Sequence, residues 1–398
     1  MVCFPSSRNY ATSVHLYSLS PFELLLVADI ALYLAGVAWF MRGMRRREGR
    51  SVERPLVSIV VAARNEEQRI GACLGQLTSQ QYPHYEIIVV DDGSTDATAA
   101  LVAEIARQDD RLRLLQRSEG GSKKAALALG IAQSRGEVIA TTDADCLMGS
   151  EWLDAMLSYL ESDVGMVIGF SQIGSPHESL GARGSYEAID FLNLMACIWG
   201  SSGQAHPMAA SGQNLVFRRS AYEQVQGYGK VMHRASGDDV LLMQMVRSET
   251  DWRIAFACDD AAHTQHPVAP SWQGLFNQRA RWASNATLML RLDPLFFSYM
   301  VITYLLSWSV VLTPFIALVG WVHPVLLAGV IACKWGAEAL FFRRAQELVK
   351  RPALVRYWPL WALIQPVHVA LVGGLGVVGM FSWKGQRHRW GRSRVSVR

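Results

Sequence analysis

Residues 56–63 read LVSIVVAA, residues 85–92 read YEIIVVDD and residues 137–145 read EVIATTDAD. Each is a short apolar, β-branched run that ends on polar or acidic groups. LRLLQ (112–116) and VGMVIGF (164–170) are two more such runs, and helical patterns such as ATAALVAEIARQ (97–108) and AALALGIAQ (125–133) lie between them. Strands separated by helices predict an α/β domain with a mostly parallel, Rossmann-like sheet. Sheets of that kind bind ligands beyond the carboxyl ends of their strands. Three polar clusters fall there: Arg64-Asn65-Glu66, Asp91-Asp92-Gly93-Ser94 and Asp143-Ala144-Asp145.

On both sides of this region the chain turns apolar. Residues 21–41 form a nearly continuous apolar run, about the length a helix needs to span a bilayer. Arg42, Arg45, Arg46, Arg47, Arg50 and Arg54 follow. Positive residues favour the cytoplasmic side, so the following domain is expected in the cytoplasm of a multi-pass protein of the cell (inner) membrane. The basic cluster comes after the apolar run rather than before it, which argues against a cleaved signal peptide. Further spans are expected at about 297–320, 321–342 and 357–382. RRAQELVKR (343–351) reads as a basic cytoplasmic loop, and the tail carries Lys384, Arg387, Arg389, Arg392, Arg394 and Arg398. A single crossing at 357–382 cannot leave both basic flanks inside. A short hairpin or an in-plane helix would.

Three segments follow: 1–54, an N-terminal membrane helix with a basic juxtamembrane stretch; 55–294, the α/β domain; and 295–398, the C-terminal membrane segments and tail. Composition agrees. Of 398 residues, 51% are hydrophobic and 18% charged, where a soluble protein carries about 25% charge. The net charge of +4 gives a nucleic-acid partner little support. Six scattered cysteines without a CxxC pair indicate neither a zinc site nor a disulfide framework, and are expected as buried, reduced thiols.

The chemistry is concentrated in a few positions. Asp143 and Asp145 end a strand with one residue between them, a spacing that lets two carboxylates reach one Mg2+ or Mn2+ ion and, through it, a diphosphate. In DDGSTD (91–96) an Asp or Ser is expected to cap the following helix, and another carboxylate to accept hydrogen bonds from a base or ribose. A lysine of the Lys123-Lys124 pair can neutralise phosphate, although the stretch lacks Walker A spacing. Asp238 and Asp239 precede a helix they could cap. Arg281 and Trp282 read equally as an interfacial pair before a membrane segment. His263 and His266 are expected in a loop role. Within the apolar segments, Asp29 is expected to pair with Lys334 and clamp the N-terminal helix to the C-terminal bundle, against the simpler pairing of Lys334 with Glu338 at i,i+4.

Taken together, ARNEE (63–67), DDGSTD (91–96), KKAAL (123–127), TDADC (142–146), SGQNLVFRR (211–219), GDD (237–239) and QRARW (278–282) occur in one order on one domain. In that order the chain resembles the membrane-bound family 2 glycosyltransferases of the A-type fold, over about residues 55–290. The resemblance implies inverting transfer of a sugar from a nucleotide-sugar donor, commonly a UDP-sugar, with Mg2+ or Mn2+. It implies that Asp92 and Glu66 contact the nucleoside, that Lys123 lies near the nucleotide, and that Asp143 and Asp145 hold the diphosphate with the metal. Asp239 would be the catalytic base, and Gln278, Arg281 and Trp282 would lie at the diphosphate and the acceptor entrance. The chain has GDD where the family has TED, so Asp238 stands in an altered position. A membrane lipid is the expected acceptor, because the few membrane segments make a small bundle for exporting a polymer. The alternative is a processive polysaccharide synthase with coupled export, making poly-N-acetylglucosamine, hyaluronan or cellulose. A catalytically dead scaffold would not need every acid and QxxRW.

Overall fold

The computed structural model describes residues 19–118, 120–234, 236–383 and 386–388. Cys3, Lys384, Arg389, Arg392, Arg394 and Arg398 lie outside them. The chain runs through α1 (Pro21–Gly43), β1 (Val57–Ala63), α2 (Ile70–Thr78), β2 (Tyr85–Asp91), α3 (Thr98–Ala106), β3 (Leu112–Gln116), α4 (Lys123–Ala132), β4 (Val138–Asp143), β5 (Leu147–Met148), α5 (Trp152–Ser158), β6 (Val164–Gly169), β7 (Ser171–Ile173) and α6 (Gly181–Gly203). Then come β8 (Leu215–Arg218), α7 (Arg219–Gln224), α8 (Val240–Glu249), β9 (Arg253–Ala257), β10 (Thr264–His266), α9 (Trp272–Ala283), α10 (Ala286–Leu292), α11 (Pro294–Leu318), α12 (Pro324–Val349), α13 (Trp358–Val377), β11 (Phe381–Trp383) and β12 (Gln386–His388).

The central sheet has seven strands in the order β3-β2-β1-β4-β8-β6-β9. Every neighbouring pair is parallel except the two made by β8. The five predicted strands are all present. All seven residues of β2 are buried, as expected for a parallel strand covered on both faces. Register then places the functional edge. Ala63 stands opposite Asp91 and Ala62 opposite Asp143, so the polar clusters after β1, β2 and β4 share one rim. Antiparallel β8 brings the start of its strand to that rim, and SGQN (211–214) with it.

One face of the sheet packs Ile59, Val61, Ile87 and Val89 against residues such as Leu74, Val102 and Trp152 of α2, α3 and α5. The other face, through Val60, Ile139 and Phe217, is continuous with α6 and onward with Leu26, Ile30, Val37 and Phe40 of α1. The α/β core and the apolar helices are therefore one packed body. Glycine makes this junction possible. A Cβ on Gly43 would sit 1.9 Å from the Gly200 carbonyl oxygen, and one on Gly203 would sit 1.9 Å from the Gly43 carbonyl oxygen. Gly43→Val is expected to pry α1 from α6 at a cost of about 1–3 kcal/mol or more, the usual range for overpacking. The check is a lowered thermal unfolding midpoint in detergent. An unchanged midpoint would remove the close approach from the account.

Among the described residues, four helical stretches are long and apolar enough to cross a membrane: Pro21–Gly43, Pro294–Leu318, Pro324–Val349 and Pro352–Val377. Several sequence expectations change here. RRAQELVKR is not a loop, because α12 continues to Val349 and stops only where Lys350 turns left-handed (φ 49°). Ala345, Gln346, Glu347 and Leu348 are good helix formers, and their propensity outweighs the charge. The Asp29–Lys334 clamp is replaced by the i,i+4 pair. The Lys334 ammonium donates to Glu338 and, at 3.0 Å, to Gln365 Oε1, while the Tyr33 hydroxyl donates to Glu338 Oε1 at 2.9 Å. Tyr33, one turn beyond Asp29, is the residue of α1 that reaches this cluster. Cys333 is exposed rather than buried, because it lies on the outer face of α12; Cys73, Cys146 and Cys258 are buried free thiols and Cys197 is half-buried.

The last apolar segment is one unbroken helix, not a hairpin. Before it, Arg351 donates to the Ile173 carbonyl at 2.9 Å and to the Glu178 carbonyl at 2.6 Å. Along it, the His368 ring lies 4.9 Å from that of Phe276 on α9. Near its end, a Cβ on Gly376 would meet Ala283 Cβ at 2.5 Å. The helix thus runs beside α9, and both of its ends abut the α/β domain.

Candidate active site

All nine sequence-selected residues line one pocket of about 230 Å3 at the carboxyl rim of the sheet: Glu66, Asp92, Lys123, Asp143, Asp145, Asp239, Gln278, Arg281 and Trp282. They arrive on separate elements. Glu66 follows β1, and its backbone N–H donates to Thr98 Oγ1 at 2.8 Å. Asp92 follows β2 and is buried. Its Oδ2 accepts the backbone N–H groups of Gly121 (2.7 Å) and Ser122 (2.8 Å), and its Oδ1 accepts Arg117. Asp92 thus anchors the turn into α4 while still facing the pocket. Asp96 stands one residue before the α3 N-cap, Ala97, and its Oδ1 accepts the Thr98 N–H at 3.0 Å.

The two lysines part company. Lys123, the first residue of α4, places Nζ 2.6 Å from Asp143 Oδ1 and 2.8 Å from Asp238 Oδ2. Burial opposes its charge, but the two carboxylates outweigh burial and hold its pKa well above the usual lysine value. Lys124 points away and donates to the Arg234 (2.7 Å) and Ser236 (2.9 Å) carbonyls, tying down the loop before GDD. Burial lowers its pKa to about 8.

The adjacent acids are also differentiated. Asp238 takes the lysine, whose charge overcomes burial and pulls its carboxyl below the ordinary range. Asp239 is held by the backbone through both carboxylate oxygens. Its Oδ2 accepts the Gly212 N–H at 2.7 Å and its Oδ1 accepts the Val240 N–H at 2.7 Å, so it also caps α8. Burial and the Asp238 charge push its pKa up. The result is a fixed carboxylate of raised proton affinity, the property a general base needs. Gly212 is confined here: a Cβ would lie 3.1 Å from Asp238 Oδ2 and 3.3 Å from Lys123 Nζ.

Asp143, Asp145 and Cys146 bring ligand atoms within 4.8 Å of one another. The carboxylate oxygens suit Mg2+ or Mn2+. Burial pushes the Cys146 thiol well up, so its sulfur stays protonated and is a poor ligand. Burial, Asp143 and Glu66 raise Asp145 to about 6. Two clustered acids with Lys123 leaning on one of them are a site that calls for positive charge, and the donor set fits such an ion.

QRARW forms the last turns of α9. Arg281 donates to Ser236 Oγ at 3.2 Å. Arg279, which the sequence did not single out, organises the motif. It is 6% exposed, donates to Asp190 Oδ2 and to Gln278 Oε1 (2.8 and 2.9 Å), and stacks its guanidinium 4.3 Å from the Trp282 ring centre. Asp190 on α6 gave no local signal. Thr142 and Asn214 were also missed. Thr142 Oγ1 donates to the Gln213 carbonyl (2.9 Å). Asn214 is saturated, donating to the Phe170 and Ala262 carbonyls (2.8 and 2.7 Å) and accepting the Trp152 indole N–H (2.9 Å). Within SGQN, Asn214 is therefore scaffold, while Ser211, Gly212 and Gln213 line the pocket. His263 and His266 have their pKa values lowered to about 4 by burial; His263 packs 4.7 Å from the Phe170 ring and His266 5.2 Å from the Phe191 ring.

Residues 58–225 match the family described as Glycosyl transferase family 2. Among characterised relatives, a beta-monoglucosyldiacylglycerol synthase of a Nostoc species is 34% identical over 280 residues, covering 68% of this chain and 57% of that protein. A poly-beta-1,6-N-acetyl-D-glucosamine synthase of Staphylococcus epidermidis is 26% identical over 280 residues, covering 68% of this chain and 63% of that protein. The chain thus spans less than two thirds of either relative. The solved structure of a mannosyltransferase from Pyrobaculum calidifontis, in complex with GDP-Man and Mn2+, superposes with a TM-score of 0.60 at 20% identity, covering 88% of this chain and 98% of that one. At that identity the likeness concerns the fold, which is the A-type fold expected from the motifs, here flanked by apolar helices.

Proposed function

We propose that this chain, which belongs to glycosyl transferase family 2, transfers a sugar from a nucleotide-sugar donor, UDP-linked by preference, to a hydroxyl of a membrane lipid, with inversion at the anomeric carbon. The observation that carries the reading is the split of the GDD acids. Asp238 is bound to Lys123, while both carboxylate oxygens of Asp239 accept backbone N–H groups, with its proton affinity raised. Asp239 takes the proton from the acceptor hydroxyl as it attacks. Arg281 and Lys123 offset the charge that gathers on the departing nucleoside diphosphate. Mg2+ or Mn2+ on Asp143 and Asp145 would add Lewis-acid stabilisation of that leaving group. Asp92 and Glu66 face the nucleoside, and Gln278 and Trp282 face the acceptor.

A lipid acceptor is supported by position. α9 carries QRARW on one side of the pocket, packs along apolar α13, and leads within 12 residues from Trp282 to apolar α11 at Pro294. It is supported also by the likeness to a protein named as a glycolipid synthase. The basic flanks of α1 and α12, and the return of α13 to the α/β domain, favour a cytoplasmic catalytic face and a cytoplasmic tail. The competing reading, a processive synthase, draws on the likeness to the poly-N-acetylglucosamine synthase. The test is to incubate purified full-length protein with radiolabelled nucleotide sugars and extracted membrane lipids. Label is expected in the organic phase as a product of one or a few sugars. High-mass label in the aqueous phase would replace this reading with the processive one.

A further inference from the structure

A second cavity lies apart from the catalytic pocket and shares no lining residue with it. It is a groove of about 790 Å3 between the C-terminal half of α12 and the turn that enters α13, within the size range of small-molecule sites. Phe342, Val355 and Trp358 contribute its apolar wall, and Arg343, Lys350 and Arg351 its charged part; no acid lines it. Lys350 is paired with Asp260 and Arg351 with backbone carbonyls. Arg343 is exposed and makes no ion pair or hydrogen bond among the described residues. Two further donors lack acceptors there: the Trp358 indole N–H and the Gln346 amide nitrogen are buried and unpartnered. A buried donor left unpaired is unfavourable, so both favour an incoming oxygen acceptor.

The groove also has a definite setting. Arg343 stands where the apolar stretch of α12 gives way to charge, the level at which a spanning helix meets headgroups. Val355, on the groove wall, is exposed, and so are Leu363, Val367 and Leu371 at four-residue spacing along the α13 helix that follows. An apolar trough that opens along an apolar helix face, with cationic and neutral donors at one end and no acid, matches a lipid whose headgroup is a phosphate.

We propose that this groove binds an anionic phospholipid, with the headgroup phosphate at Arg343 and the Gln346 and Trp358 donors, and the first acyl segment against Phe342 and Val355. The inference does not rest on the proposed sugar transfer, because binding is read without donor or acceptor. The experiment is native mass spectrometry of the full-length protein in detergent, titrated with phosphatidylglycerol, with phosphatidylcholine of the same acyl chains, and with diacylglycerol. Phosphatidylglycerol is expected to bind the tightest of the three. One basic residue near an anionic surface is worth about a fivefold change in affinity, so Arg343→Gln should weaken phosphatidylglycerol about fivefold and Arg343→Glu by more. Phosphatidylcholine, whose choline offsets the phosphate charge, should weaken by a smaller factor in both. Trp358→Phe, which keeps the ring and removes the N–H, should weaken it by a smaller factor. Thermal unfolding midpoints confirm that the variants are folded, and exposed Arg343 tolerates Gln. Equal binding of the phospholipids, or no loss in Arg343→Gln, overturns the proposal. Tighter binding of diacylglycerol also overturns it and makes the groove a site for uncharged lipid.

Discussion

Asp239→Asn is expected to lower kcat by about 10²–10⁴-fold, the range for removing a positioned general base, while nucleotide-sugar binding stays within a few fold of wild type. The asparagine is nearly isosteric. Its single oxygen can still accept one of the two N–H groups, that of Val240 keeping the α8 cap, while the Gly212 N–H loses its acceptor. What is lost is the capacity to take a proton. Asp238→Asn should behave differently, because Asp238 is one of two anchors of Lys123. Its loss frees the ammonium to shift and should raise the donor KM along with lowering kcat. Steady-state kinetics with a binding measurement on the same samples separates the two. Near-wild-type turnover by Asp239→Asn would move the base assignment elsewhere, and Asp238 would be the next candidate.

The parts of this arrangement visible in sequence and the parts that were not differ in physical origin. The five strands were legible because parallel strands covered on both faces must be apolar at nearly every position, as in YEIIVVDD. β8 was not, because LVFR is four residues long and its place between β4 and β6 is decided by long-range pairing. The polar clusters could be located because strand ends mark the binding rim. Their couplings could not. Lys123 reaches Asp143, 20 positions away, and Asp238, 115 positions away, and neither separation leaves a periodic trace. Arg117 on Asp92 and Arg279 on Asp190 are single arginines that find partners only after folding. The helical RRAQELVKR was misread because clustered charge suggests a loop, while helix propensity and packing of Ala345 and Leu348 decided the backbone.

Removal of divalent metal is expected to cost about 10³-fold in kcat/KM, since a metal bound to a leaving diphosphate supplies several kcal/mol. A direct reading avoids turnover altogether: Mn2+ binding to the protein with nucleoside diphosphate, followed by electron paramagnetic resonance. Asp143→Asn and Asp145→Asn should each weaken Mn2+ strongly. Their side effects should differ, because only Asp143 also holds Lys123, while Asp145 faces Arg69 at 4.0 Å. Acid should act through Asp145. Burial and the neighbouring Asp143 and Glu66 charges raise it to about 6, so it is mostly ionised at pH 7 and mostly protonated at pH 5. The ion binds the carboxylate and competes with the proton. Affinity should therefore fall about tenfold from pH 7 to pH 5, where a carboxyl of ordinary pKa near 3.9 would stay almost fully ionised. The fall should disappear in Asp145→Asn. A flat profile in the wild type would mean that the ion is held without Asp145. Loss of Mn2+ in Asp143→Asn alone would then place it between Asp143 and Asp238, where the ammonium of Lys123 now sits.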